Sequence, residues 1–440
     1  MSLTPSLAVF RHRAFAQYWF MRIFGGAAMQ MLAVAIGWQV YDIARLTRPV
    51  EHAALILGMV GLAQFLPLLV FSLVGGVAAD RLDRKAILVV TYVIRVGVVL
   101  WLFALAGVRS DAVLPAIFLA AAVLGGLNAF FPAASSALLP RLVPRDELPQ
   151  AIALSSLAFQ SAAIAGPAIG GLLYVGGARV VYGTCIALLI VAALLIQLAP
   201  TPRHERVTGA RTFSMILEGL RYVRDNKIVL GAISLDLVVV LFGGAMALLP
   251  VFARDILHVG PSGLGLLRAA PAAGAAVVAL VLATSALKAN VGRWMLFAVG
   301  IFGAATLAIA FSPWFWVTMA ALAVRGAADM ISVYVRQSLI QLATPDAMRG
   351  RVSSVSYIFI SASNELGEFE AGVAARLIGP INAVILGGMV AIGSAVAWPK
   401  LFPSLARTNR FEDAAVDDKR LPPGVPTPAE EVDQRSGALL

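Results

Sequence analysis

The chain has 440 residues, 60% of them hydrophobic and 13% charged, with a mean hydropathy of +0.86. Soluble domains carry about 25% charged residues, so a soluble protein is excluded and an integral membrane protein is expected. The single cysteine, Cys185, excludes an intramolecular disulfide and a thiolate metal cluster. The four histidines fall at no ligand spacing, so neither a metal nor another cofactor is expected.

Residues 1–17 are short and basic, lack a small-residue cleavage site and read as a mature cytoplasmic N-terminus. Apolar runs near 18–43, 55–79, 86–107, 112–139, 150–175 and 180–199 make a first set of six spans, each about twenty residues or more, enough to cross a bilayer as helix. A second set lies near 229–252, 263–287, 294–311, 314–342, 352–378 and 381–402. The expected fold is all-α, with twelve transmembrane helices in two pseudo-symmetric six-helix bundles, 18–199 and 229–402.

In the first span Arg22 either snorkels to the interface or lines a cavity. The second span carries Gln64 and a helix-kinking Pro67. It ends at Gly75-Gly76-Val77-Ala78-Ala79-Asp80-Arg81-Leu82-Asp83-Arg84-Lys85, where five charges in six residues force a tight loop at a membrane face. Arg95 of the third span lies about ten residues deep, roughly mid-bilayer at a rise of 1.5 Å per residue. It reads as a cavity residue or as half of a structural ion pair. The fourth span is rich in small residues around Asn128, and the fifth holds Gly166-Pro167-Ala168-Ile169-Gly170-Gly171. Its glycines suit close backbone contact between helices.

Residues 200–228 form a basic linker. Phe213, Ile216, Leu217, Leu220 and Val223 follow a 3-4 spacing, with Glu218, Arg221, Arg224 and Asp225 on the other side. This predicts an amphipathic helix on the cytoplasmic surface. The second six spans repeat the first. A shift of 201 residues places Gly125 on Gly326, Asn128 on Asp329, Gly166 on Gly367 and Gly171 on Gly372; near the second span a shift of 204 places Gln64 on Arg268 and Pro67 on Pro271. Parallel repeats of this kind are a transporter architecture, with the substrate site at midplane between them.

The repeat breaks at its charges. The second half adds Asp236, Arg268, Arg325, Asp329 and Arg336, then Glu365, Glu368 and Glu370. Intramembrane ionisable groups are costly, so each is a functional candidate. Arg325 and Asp329 are one turn apart and suit pairing along their own helix. Glu365 and Glu368 share a face at i, i+3; two carboxylates so close do not both ionise readily and can carry a proton. The bland alternative is a buried Glu–Arg network that locks helices together. After 402 the chain is polar and Pro-rich and reads as a disordered cytoplasmic tail, 403–440.

Charge also orients the chain. The N-terminus, every second loop and the start of the tail hold twenty lysines and arginines, whereas the intervening loops hold six: Arg45, Arg48, Arg109, Arg179, Arg254 and Arg376. This is the positive-inside bias, with both termini cytoplasmic. The net charge of +10 thus reflects topology and attraction to anionic membrane lipid and excludes a nucleic-acid footprint. No Ser–His–acid constellation and no phosphate-cradling Gly-Lys-Ser/Thr motif is present, so an enzyme or ATPase is not expected.

These residues resemble the major facilitator superfamily over roughly 10–402. The Gly76 to Lys85 stretch looks like its signature loop, which implies gating by Gly76, Asp80, Arg81, Arg84 and Lys85, with Asp80 facing the start of the eleventh helix. Ala78 stands in place of the usual leucine and Asp83 in place of the second glycine. Residues 162–173 look like the fifth-helix exporter motif, implying a role in export for Gly166, Pro167, Gly170 and Gly171. The fourth-helix arginine motif is missing around Ala122.

Phe10-Arg11, Tyr18-Trp19, Trp38-Gln39-Val40-Tyr41, Gln64-Phe65-Leu66-Pro67 and Asn364-Glu365-Leu366-Gly367-Glu368-Phe369-Glu370 are similar to the enterobactin-exporter-like branch of bacterial inner-membrane exporters. The resemblance implies an exporter of a siderophore or drug; with the Glu365/Glu368 pair as proton carrier, the chain is expected to be a monomeric proton antiporter for a small amphiphilic compound. A broad multidrug pump, a channel and a non-transporting sensor are the alternatives. Arg22, Gln64, Arg95, Asp236, Arg268, Arg325, Asp329, Glu365 and Glu368 are the expected substrate and proton cavity. Its basic members favour an anionic substrate such as a catecholate siderophore.

Overall fold

In a computed structural model the chain is a succession of helices joined by short connections, with no strand among the described residues. The structure describes residues 7–201, 213–285 and 287–414; at 73, 76, 77, 79–81, 213–216, 346, 347 and 354 it describes the backbone alone. The first half holds α1 (Arg13–Thr47), α2 (Val50–Arg81), α3 (Arg84–Leu105), α4 (Leu114–Leu138), α5 (Leu148–Tyr174) and α6 (Ala178–Leu198). A short α7 (Phe213–Asp225) leads to the second half. There α8 (Lys227–Phe242), α9 (Leu249–Val251) and a π-helical turn (Phe252–Ile256) together make one crossing, followed by α10 (Gly260–Thr284), α11 (Val291–Phe311), α12 (Phe315–Leu342), α13 (Asp346–Ile378) and α14 (Pro380–Leu401).

Among the described residues eleven helical stretches are long and apolar enough to cross a membrane. The twelfth crossing is α13, whose 33 residues are ample in length but carry Arg349, Arg351, Glu365, Glu368, Glu370 and Arg376. Its charge is tolerated because it packs on α2, α8 and α14 and turns its polar side toward protein.

The repeat is plain in the packing. The pairs α1–α5, α1–α6, α2–α4, α3–α4 and α3–α6 recur as α8–α13, α8–α14, α10–α12, α11–α12 and α11–α14. Gly177 before α6 and Gly379 before α14 both turn at positive φ, +95° and +88°, where a side chain would be strained. Local signals set the starts. Asp83 caps α3 by accepting from the Lys85 backbone N–H, and Asn226 caps α8 by accepting from Ile228 and Val229.

Three apolar cores result. One lies within the first half, around Phe15, Tyr18, Tyr92 and Tyr182. One lies within the second half, around Val229, Phe302, Val335 and Trp398. The third is shared: Val34, Trp38 and Tyr41 of α1 and Leu57 of α2 pack with Leu248, Phe252, Leu264 and Ala371 of the second half. The shared core sits at the end away from the termini, so that face is sealed by apolar contact between the halves.

At its edges the second half carries two docked segments, α7 and the start of the tail. Of the apolar face of α7, Val223 is buried and Leu217 and Leu220 are exposed; the side chains of Phe213 and Ile216 lie outside the described residues. The helix docks by its other side. Gly219 packs on the Arg351 backbone, Tyr222 donates to the Ala343 carbonyl at 2.5 Å, and Glu218 pairs with Arg351. The first residues past 402 are also ordered. Helix α15 (Pro403–Arg407) and a 3-10 turn (Phe411–Ala414) fold back, with Leu405 and Ala414 buried and Phe411 edge-on to Tyr334. Thr408 and Asn409 accept from the first backbone N–H groups of α11, filling bonds that a helix start leaves open. The rest of the tail and of the linker, 415–440 and 202–212, lies outside the described residues.

Candidate functional site

Four helices, two from each half, converge near midplane. Gly61 of α2 leaves a notch that Glu368 of α13 fills; a Cβ there would lie 2.6 Å from the Glu368 Cβ. Gly37 of α1 leaves the space beside Arg268 of α10, with its built Cβ 3.4 Å from Nη2. Arg268 and Glu368 interact electrostatically, and Glu365 in turn feels Glu368. The Arg268 Nε is buried without a hydrogen-bond partner. Glu368 is ten residues from the far end of α13, about 15 Å at 1.5 Å per residue. The structure thus brings together Arg268, Glu365 and Glu368 at the seam of the halves. Gln64 lies one turn further along α2, its backbone pressed against Gly125 of α4.

The remaining cavity candidates divide. In the first half the Arg22 Nη1 lies 3.3 Å from the Tyr18 hydroxyl and 3.4 Å from the Ser135 Oγ. Arg95 is buried, donates to the Asn128 Oδ1 at 3.0 Å and sits 4.7 Å from the Phe131 ring centroid. In the second half Arg325 donates to the Gly243 carbonyl at 3.0 Å, where α8 breaks, and lies 4.1 Å from the Phe302 ring centroid. Asp329 interacts with Arg325 electrostatically. Asp236 forms a buried ion pair with Arg336, joining α8 to α12 inside the second half.

The glycines of the fifth-helix motif form a joint. Gly166 and Gly170 face α1, near Gln30 and Met31; Gly171 and Pro167 face Gly265 of α10 across the seam. Gly58 and Gly372 make the matching contact between α2 and α13. Of the loop residues, Arg84 donates to the Ala137 carbonyl at 3.0 Å and Lys85 to the Ala199 carbonyl at 2.8 Å. The side chains of Asp80 and Arg81, and so the expected meeting of Asp80 with the eleventh span, lie outside the described residues, and Gly76 is described by its backbone alone.

Sequence reasoning missed a further group at the far face. Asp42 and Arg45 of α1 meet Arg254 and Asp255 of the π-helical turn: Arg254 donates to Asp42 at 2.7 Å and Arg45 to Asp255 at 3.0 Å. Tyr41 donates to Asp255 at 2.5 Å. Arg109 also reaches Asp42, at 2.8 Å, and that bond holds its pKa above the usual arginine range. The visible signal was an Asp and an Arg at i, i+3 near the end of α1. The π-turn that presents their partners has no such signature.

The sequence profile of the transmembrane secretion effector family matches residues 4–440. The chain belongs to that family, within the major facilitator superfamily. It is 29% identical over 403 residues to the enterobactin exporter EntS of Shigella boydii, covering 88% of this chain and 87% of that protein. With the Citrobacter koseri enterobactin exporter it shares 28% over the same length. Among solved structures it is similar to a D-xylose–proton symporter, at TM-score 0.65 and 12% identity over 91% of this chain and 99% of that one. A bacterial homologue of the iron transporter ferroportin, in an inward-facing state, gives TM-score 0.65 at 16% identity over 90% and 99%. The human organic anion transporter MFSD10 gives 0.61 at 16% over 88% and 99%. At such identities the structures establish the fold. The chain is a multi-pass membrane transporter of the enterobactin-exporter-like branch, not an enzyme.

Proposed function

We propose that this transporter exports a small amphiphilic organic compound, siderophore-like, across the bacterial inner membrane in exchange for protons, as a monomer with both termini in the cytoplasm. The names of its relatives and the fifth-helix motif support export. The twenty-to-six bias of basic residues supports the orientation.

The observation that carries the coupling is the placing of Arg268 and Glu368 together on the second half's side of the seam, against Gly37 and Gly61 of the first half. An ionised Glu368, steadied by Arg268, offers only acceptor oxygens. Phenol or amide hydrogens of a cargo dock on them. A proton arriving from outside turns one acceptor into a donor, so cargo and proton exclude each other at one carboxyl. Mutual exclusion is what antiport requires. Glu365, one turn away, discourages full ionisation of the pair and gives the proton a second holder.

The two halves, 18–199 and 229–402, would rock about the Gly58–Gly372 and Gly171–Gly265 contacts. Asp42, Arg45, Arg254 and Asp255 close the far face while cargo loads. Asp80, Arg81, Arg84 and Lys85 gate the cytoplasmic face, and Asp236–Arg336 keeps the second half rigid. The test is uptake of enterobactin by everted membrane vesicles. Uptake should require a proton gradient and stop when a protonophore collapses it; uptake that ignores the protonophore would sink antiport.

A further inference from the structure

The two halves balance their intramembrane charge differently. Each mid-span arginine of the second half has an acid: Arg336 has Asp236, Arg268 has Glu368 and Arg325 has Asp329. The first half has two mid-span arginines, Arg22 and Arg95, and no mid-span acid in its sequence. Between residues 13 and 198 every acidic residue stands near a helix end or in a connection: Asp42, Glu51, Asp80, Asp83, Asp111, Asp146 and Glu147.

Arg22 and Arg95 flank Tyr92 where α1, α3 and α4 meet: the Arg95 guanidinium lies 5.8 Å from the Tyr92 ring centroid, and the Tyr92 hydroxyl reaches the backbone carbonyl of Met21, the residue before Arg22. Their partners are all neutral: Tyr18, Ser135 and Asn128. The Tyr18 hydroxyl is already committed to Ser135 at 2.8 Å, so its bond with Arg22 is a long one. The Arg95 Nε, on a side chain 97% buried, has no partner at all. The repeat sharpens the contrast. Ser135 falls on Arg336 under the 201-residue shift, and it faces α1 as Arg336 faces α8. Where the second half sets an Arg–Asp pair, the first half has neutral Ser135, and Arg22 beside it meets no acid.

We infer that the Arg22–Arg95 cluster of the first half is an oxyanion subsite, taking a carboxylate or phenolate of the exported compound. Arg22, half-buried, makes the contact; Arg95 is a positioning residue behind it whose charge keeps the subsite positive. The inference rests on the export reading and adds which half holds the anionic end of the cargo, leaving Glu368 to its hydrogen-bond donors. An anion buried against a guanidinium gains charge-assisted bonds about twice as strong as neutral ones.

The test is calorimetric titration of the full chain in lipid nanodiscs with salicylate and with its uncharged amide, salicylamide. The wild type should prefer salicylate by about tenfold, and Arg22→Gln should erase the preference by weakening salicylate alone, while Arg22→Lys restores most of it. Arg95→Gln should shrink the preference with an unchanged melting temperature, and Arg95→Lys should recover it, which a merely structural role would not do. Equal affinity for the two probes in the wild type, no binding of either, or an unchanged preference in Arg22→Gln overturns the subsite. Inorganic phosphate displacing salicylate at similar affinity overturns the assignment to the cargo. No proton gradient enters this assay, so a failure of antiport in vesicles leaves its result standing.

Discussion

Arg254 and Asp42 meet at 2.7 Å across the two halves of the transporter, at the end of the helices that the shared apolar core seals. One turn along α1, Arg45 holds Asp255 in the reverse sense of charge. The four side chains remain 19–29% exposed, so each pair is worth about 1 kcal/mol or less. A latch of that strength biases the closed face without trapping it. Cysteine placed at Leu57, buried in the shared core, reports opening, because the native Cys185 is itself buried. Arg254→Gln should raise labelling of that cysteine by an impermeant maleimide about fivefold or less, and Arg254→Lys, which keeps a positive charge opposite Asp42, should hold it near the wild-type level. Unchanged labelling in Arg254→Gln would remove the latch.

The Asp236–Arg336 pair is buried on both sides. Breaking one member leaves an uncompensated charge, so Asp236→Asn should cost about 3–5 kcal/mol of stability. Replacing both, as Asp236→Leu with Arg336→Met, should recover most of it. Denaturation of the purified protein followed by circular dichroism reads both values. A single variant as stable as the wild type would show that the pair is not a structural tie.

Gly171 and Gly265 touch across the seam: a Cβ on Gly171 would stand 2.6 Å from the Gly265 Cα. Backbone cannot yield as a side chain does, so Gly171→Ala should cost about 1–3 kcal/mol through overpacking and lower export in step. Gly97 of α3 has nothing within 4 Å of its built Cβ, and Gly97→Ala should be neutral. Equal export by the two variants would contradict a close-packed pivot at Gly171.

Much of this molecule was legible because membrane folding leaves few choices. Long apolar runs must be helices, and the 201-residue repeat of glycines foretold paired helix contacts: Gly125 presses on the Gln64 backbone and Gly326 on Pro271. The Glu365/Glu368 spacing likewise foretold a shared face, and Arg268 stands opposite it. What the sequence could not give was partner choice. Asp236, read as a cavity acid, engages Arg336, a hundred residues away. The side by which α7 docks was not legible either: Gly219 and Tyr222 meet α13 and the Ala343 carbonyl, and Leu217 and Leu220 stay exposed. Residues 403–414 carry too few apolar groups to announce order, yet Leu405 and Phe411 suffice once α11 and α12 are there to receive them.

The coupling carboxyl is tested most directly by proton counterflow in energised everted vesicles. Enterobactin added to vesicles carrying the wild-type chain should release protons from the acidic lumen as it enters, and Glu368→Gln, present in the membrane at equal amount, should release none. Proton release by Glu368→Gln equal to that of the wild type would contradict the assignment of Glu368 as the group that proton and cargo share.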